Sequence, residues 1–241
     1  MAKDMILLSE VVARGATLYS PGLIVFGVAI ALAHAQEEFP PPQGKGRVVV
    51  VDSGHSGSLY YRPAARLLAQ LGYDVVLLDA NEIRGPHLPI SSGFESHVGV
   101  ALQAAIEQAQ HMPRALPGKV ALVGFSQGGG QVLFFGSRMV DLVSVVIAWY
   151  PVTTGLDISS FVGQLRMPVL MFAGEEDHNS ACCLISTARS LATAAAGRQF
   201  QLVTYPNTGH DFFYGWPHYN PQAYTDAIKR TAVELARYLG Q

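Results

Sequence analysis

Charged residues are scarce in this chain: 14% of 241 residues, against about 25% in an ordinary soluble domain. Those present nearly cancel, with 16 Lys and Arg against 18 Asp and Glu, for a net charge of −2. That leaves no basic footprint for nucleic acid. With 49% apolar residues, so little charge also excludes a disordered chain. Cysteine is scarcer still. Two residues, Cys182 and Cys183, allow neither a disulfide scaffold nor a four-thiolate zinc site. They are neighbours, and a bridge between neighbours is expected to be strained. The pair therefore reads as two small buried side chains on a helix. The length suits a single α/β domain with a full core.

The amino-terminal 35 residues differ from the rest. Leu23 to Ala33 carries no charge, and Ala33-His34-Ala35 offers small residues where a signal peptidase cuts. A cleaved signal peptide, and so a secreted or periplasmic protein, is one reading. An uncleaved membrane anchor over residues 16–35 is another, since that apolar stretch is just long enough to span. The third is a packed segment of a cytoplasmic protein, with Ser20 as N-cap and Pro21 opening a helix. Residues 36–45, with Pro40-Pro41-Pro42, read as a linker, and 46–241 as the main domain.

From Gly46 onward strand and helix signals alternate. Val48–Val51 is β-branched without polar alternation, as in a strand buried on both faces. Val75–Leu78, Val120–Val123, Val145–Ala148, Val169–Phe172 and Gln201–Thr204 predict further strands. Between them, Tyr60, Ala64, Leu67, Leu68 and Leu71 share a helical face, as do Val98, Leu102, Ala105, Ile106 and Ala109. Further helices are expected from the elbow region through Val132 and over Leu184–Ala195. Asn220-Pro221 opens a terminal helix. Strands separated by helices imply a mostly parallel sheet covered on both faces. The loops Ala80–Ser96 and Pro151–Arg166 could shape a pocket, but neither is long enough for a large cap domain.

Gly124-Phe125-Ser126-Gln127-Gly128 is G-x-S-x-G between a predicted strand and a predicted helix. That is the setting of a nucleophile elbow, a turn too tight for side chains at its flanking positions. A serine hydroxyl needs a positioned base. His210 is the candidate, on the loop after the last strand. Asp177, just past the fifth strand, is the candidate orienting acid, with Glu175 and Glu176 as rivals. The order Ser126, Asp177, His210 is that of α/β-hydrolases. Consecutive acids beside His178 rarely converge on one ion, so no metal is expected there. Two backbone N–H groups should hold an oxyanion: that of Gln127, and one from the 52–57 loop, with His55 ahead of Ser56.

GFSQGG at 124–129, MFAGEED at 171–177, YPNTGHDFF at 205–213 and the closing helix at 220–239 together resemble the dienelactone hydrolase family. The resemblance spans about 46–240 and implies an α/β-hydrolase fold. It also implies a carboxylic-ester hydrolase acting on a small ester or lactone through an acyl-enzyme, with no cofactor. Ser126, Asp177 and His210 stand at the family's nucleophile, acid and base. The chain departs in having serine where dienelactone hydrolases proper have cysteine, and no glutamate in 53–57. Family arginines bind the substrate carboxylate, and Arg84 could serve for one. Tyr214 stands four residues past His210. Phe213 and Tyr214 are candidates for the substrate pocket. GFSQGG also resembles small carboxylesterases and acyl-protein thioesterases, so a thioesterase or lipase-like activity is a rival reading. A non-catalytic binding protein on the same fold is another.

Overall fold

The computed structural model describes residues 36–178, 182–213 and 219–240. The expected signal or anchor over 1–35 lies outside them. Among the described residues, β2 (Val48–Asp52), β3 (Asp74–Leu78), β4 (Val120–Phe125), β5 (Val143–Trp149), β6 (Val169–Gly174) and β7 (Phe200–Tyr205) are parallel. β1 (Gln36–Phe39) joins antiparallel to β3, in the order β1-β3-β2-β4-β5-β6-β7. The expected linker thus begins inside the sheet. Its polar sequence, Gln-Glu-Glu-Phe, suits an edge strand, which needs only one strand neighbour.

β2 through β6 are buried along their length except at Ser144 in β5, as their largely apolar runs require. Helices α1 (Arg62–Gln70) and α7 (Pro221–Leu239) cover one face with Ala64, Leu68, Ala227 and Leu235. α3 (Ser96–Gln110) packs from the other side with Val98, Leu102, Ala105 and Ile106 inward. Asn220 caps α7 by accepting from the Gln222 and Ala223 amides, and Pro221 takes the first turn. Tyr60, expected on the inner face of α1, is 59% exposed. It lies in the 3-10 turn Ser58–Tyr61 ahead of the helix, so Tyr61 takes the core position. The loop after β3 holds a short α2 (Ala80–Arg84) and a 3-10 turn, and the loop after β5 holds α5 (Ile158–Gln164). Among the described residues no helix is long and apolar enough to cross a membrane.

An aromatic cluster fills the space beneath the carboxyl ends of β4 and β5. Phe213 is fully buried, with ring centroids 5.3 Å from Phe125, 5.2 Å from Tyr224 and 6.1 Å from Trp149. The expectation that it lines a substrate pocket is corrected: it is part of the core. Phe213→Ala should therefore cost about 3–5 kcal/mol of stability, read as a lowered denaturation midpoint at unchanged m-value.

The chain runs from β2 out to β3, then returns to the other side of β2 with β4. In open parallel sheets this reversal leaves a crevice at the carboxyl ends of the two strands, where ligands bind. Asp52 and Gly124 are register partners there.

Candidate active site

Ser126 follows β4 directly and opens α4 (Ser126–Phe134). Its φ is +49°, in the left-handed region that side chains seldom occupy. The flanking glycines show how tight the turn is. A Cβ on Gly124 would stand 2.5 Å from the Gly128 carbonyl oxygen, and one on Gly128 would stand 2.3 Å from the Ser53 carbonyl oxygen. With glycine there, the Gly128 amide instead donates to Ser53 O at 2.9 Å. The loop after β2 is thereby pinned to the elbow. The first amides of α4 have no intrahelical partner and favour negative charge.

His210 comes from the loop after β7 and Asp177 from the loop after β6. The two loops are stitched together, since the Glu175 amide donates to Tyr205 O and the Glu176 amide to Thr208 O, both at 2.9 Å. Ser126 Oγ lies 3.1 Å from His210 Nε2, and His210 Nδ1 lies 2.7 Å from Asp177 Oδ2. A carboxylate only accepts, so Nδ1 carries the proton and Nε2 presents its lone pair to the serine hydroxyl. Asp177 is 2% exposed. The rival acids are placed elsewhere: Glu175 accepts from Arg189 and Thr204, and Glu176 points to solvent. Burial alone would depress the His210 pKa. The Asp177 hydrogen bond and the charges of Asp211 and Asp177 outweigh it and raise that pKa above 6.5.

Among the oxyanion candidates, Gln127 is buried in the first turn of α4. Its side chain ties the elbow to the loop after β3, because Nε2 donates to Ala80 O at 2.8 Å and Oε1 accepts from Arg84 Nη1. His55 lies in the pinned loop with its ring exposed; Asn81 contacts that ring and donates to His55 O at 2.9 Å. Arg84 is 3% exposed and spends Nη1 on Gln127. It supports the elbow from within, which corrects the expectation of an open carboxylate receptor. Burial lowers its pKa. Tyr214 lies outside the described residues. A cleft of about 610 Å³ opens beside Asp177 and His210, walled also by Asn207, Tyr219 and Asn220, but Ser126 does not line it.

Sequence reasoning missed several neighbours of the base, among them Asp211, whose Oδ1 lies 3.5 Å from His210 Nε2. Tyr150, at φ +36°, sets its ring edge-on to the His210 imidazole at 5.0 Å. Cys183 Sγ lies 3.8 Å from His210 Nε2 and is disulfide-bonded to Cys182. The cysteines were expected unbridged on a helix. They sit instead in the loop before α6 (Ile185–Ala194), where Cys182 O accepts from the Thr153 and Thr154 amides rather than from a helical turn. Nothing in the residue pattern marks that loop as an approach to the base.

The profile of the dienelactone hydrolase family matches residues 41–239. The chain belongs to the dienelactone hydrolase family. This member shares its α/β-hydrolase fold with many solved structures. A Klebsiella pneumoniae protein assigned as a dienelactone hydrolase superposes with TM-score 0.71 at 21% identity, over 84% of this chain and 92% of that one. The Anabaena variabilis dienelactone hydrolase gives 0.66 at 21% identity, over 84% and 91%. A propionate-bound esterase, Est2 of Thermogutta terrifontis, gives 0.65 at 17% identity, over 84% and 88%. Comparison with curated proteins finds no match. This dienelactone hydrolase family member is thus a hydrolase by membership, and its described site holds serine, histidine and aspartate in hydrogen-bonded sequence.

Proposed function

We propose that the chain is a serine hydrolase of small carboxylic esters or lactones. The observation that carries this reading is the hydrogen-bonded series Ser126–His210–Asp177, with the serine held at positive φ on a strand-to-helix turn. In the mechanism, His210 Nε2 takes the hydroxyl proton as Ser126 Oγ attacks the ester carbonyl carbon. The tetrahedral oxyanion is received by the main-chain N–H groups of Gln127 and His55, each worth about 2.7–4 kcal/mol to the barrier. Asp177 stabilises the imidazolium. His210 then gives its proton to the leaving alkoxide. Water, deprotonated by the same nitrogen, attacks the acyl-enzyme and releases the acid. The pinning of Ser53 to Gly128 supports a hole formed before substrate arrives. The uncharged run 23–33 ahead of Ala33-His34-Ala35 supports export with cleavage before Gln36.

A fluorophosphonate probe tests this reading. An adduct mapped to Ser126 by mass spectrometry supports it, and a folded protein that takes no label overturns it. The pH profile is a second check. His210 must be neutral to accept a proton, and its pKa is raised. Activity is therefore lost as pH falls through that pKa, and the acid limb of kcat/KM should sit above pH 6.5.

A further inference from the structure

The vicinal pair Cys182–Cys183 faces the nitrogen on which the proposed chemistry depends. We infer that, once reduced, these two cysteines and His210 form a site for a thiophilic divalent cation of the zinc type. Occupying it would switch the hydrolase off. The three potential ligand atoms, two Sγ and a ring nitrogen of His210, all lie within 4.8 Å of one another. A tetrahedral zinc with sulfur at about 2.3 Å and nitrogen at about 2.0–2.1 Å sets an N···S edge of about 3.6 Å. The observed Cys183 Sγ···His210 Nε2 separation is 3.8 Å. The same geometry asks for about 3.8 Å between the two sulfurs, a gap that opens when their bond is broken.

The orienting group is also in place. Nδ1–H of His210 is held by Asp177 Oδ2 at 2.7 Å, which presents Nε2 as a ligand in a carboxylate–histidine–metal arrangement. Two thiolates and an imidazole select a soft cation over magnesium or calcium. Cys183 is 5% exposed while Cys182 is half-buried, so the pair is sheltered but reachable. The Thr153 and Thr154 amides hold Cys182 O at 2.8 and 3.0 Å, which keeps the pair against the histidine.

A dithiol reductant transfers two electrons and two protons to the disulfide, giving two Cys thiols and an oxidised, cyclic reductant. The cation then displaces one proton from each thiol and takes the Nε2 lone pair. That lone pair is the one that would accept the Ser126 proton, so metal and catalysis exclude each other. This last consequence rests on the proposed function; the binding does not.

The test uses the full chain with Cd2+ as the probe. Protein reduced with a dithiol and desalted without oxygen should bind one Cd2+ per chain, with an ultraviolet thiolate-to-cadmium charge-transfer band. Unreduced protein should show no band. Cys182→Ser or Cys183→Ser should remove the band, and His210→Gln should weaken binding at least tenfold, in variants whose circular dichroism shows a native fold. Bound Cd2+ should block fluorophosphonate labelling of Ser126, and a chelator should restore it. No band in reduced protein, or equal affinity in His210→Gln, overturns the site. A band without any labelling of metal-free protein upholds the site and removes the serine-hydrolase reading. Labelling without a band does the reverse.

Discussion

Ser126→Ala is expected to lower kcat by roughly 10⁴- to 10⁶-fold on a simple aryl ester, with KM nearly unchanged. That is about 5–8 kcal/mol of transition-state stabilisation. The loss is large because the variant removes the bond-forming atom, so the acyl-enzyme route closes. What remains comes from the oxyanion donors and the binding of substrate. KM moves little because the hydroxyl contributes mainly through its attack. The fold should tolerate the change: the side chain is small, and Ser126 is 8% exposed. Alanine also suffers the same positive φ as serine. Steady-state kinetics with matched thermal melts checks this. A fall of less than a hundredfold in a natively folded variant would remove Ser126 from the nucleophile's role.

Asp177→Asn comes next, with an expected loss of roughly 10⁴-fold in kcat. Asp177 accepts from His210 Nδ1 at 2.7 Å and is almost wholly buried. An amide there can donate to Nδ1, which moves the imidazole proton to Nε2, where it faces Ser126 and blocks the base. The variant also removes the interaction that raises the histidine pKa, so the acid limb of any residual activity should move to lower pH. Glu175→Gln and Glu176→Gln should stay within a few-fold of the parent. The first carboxylate is engaged by Arg189 and Thr204, and the second is solvated. A kcat profile over the three variants assigns the acid, and an Asp177→Asn enzyme with near-parental kcat would withdraw that assignment.

Much of the sheet was legible because strands buried on both faces must be apolar throughout, and Val48–Val51 or Val120–Val123 have few other uses. The elbow was legible because its geometry admits only glycine at two positions, leaving a mark in the residue types. Other features carried no such mark. Gln36–Phe39 looks like polar linker, since an edge strand needs hydrogen bonds on one side only. Phe213 lies three residues past the base, and its placement in the core depends on Phe125, Trp149 and Tyr224, which are distant in sequence. Arg84 reads as a cation for a substrate carboxylate until the fold encloses it beside Gln127. The cysteine pair escaped for a related reason. Its surroundings are set by Thr153 and Thr154 from another loop, and no local periodicity reports that.

The backbone at Ser126 carries one more implication. A non-glycine residue held in the left-handed region costs on the order of 1–3 kcal/mol, a sizeable share of the 5–15 kcal/mol that keeps an ordinary domain folded. Glycine at that position would relieve the cost and give up the hydrogen bond to His210 Nε2, worth about 0.5–1.5 kcal/mol. The sturdiest version of this protein is therefore an inert one. Any search for thermal hardiness that ignores turnover will be drawn to position 126 and will erase the reaction it set out to preserve.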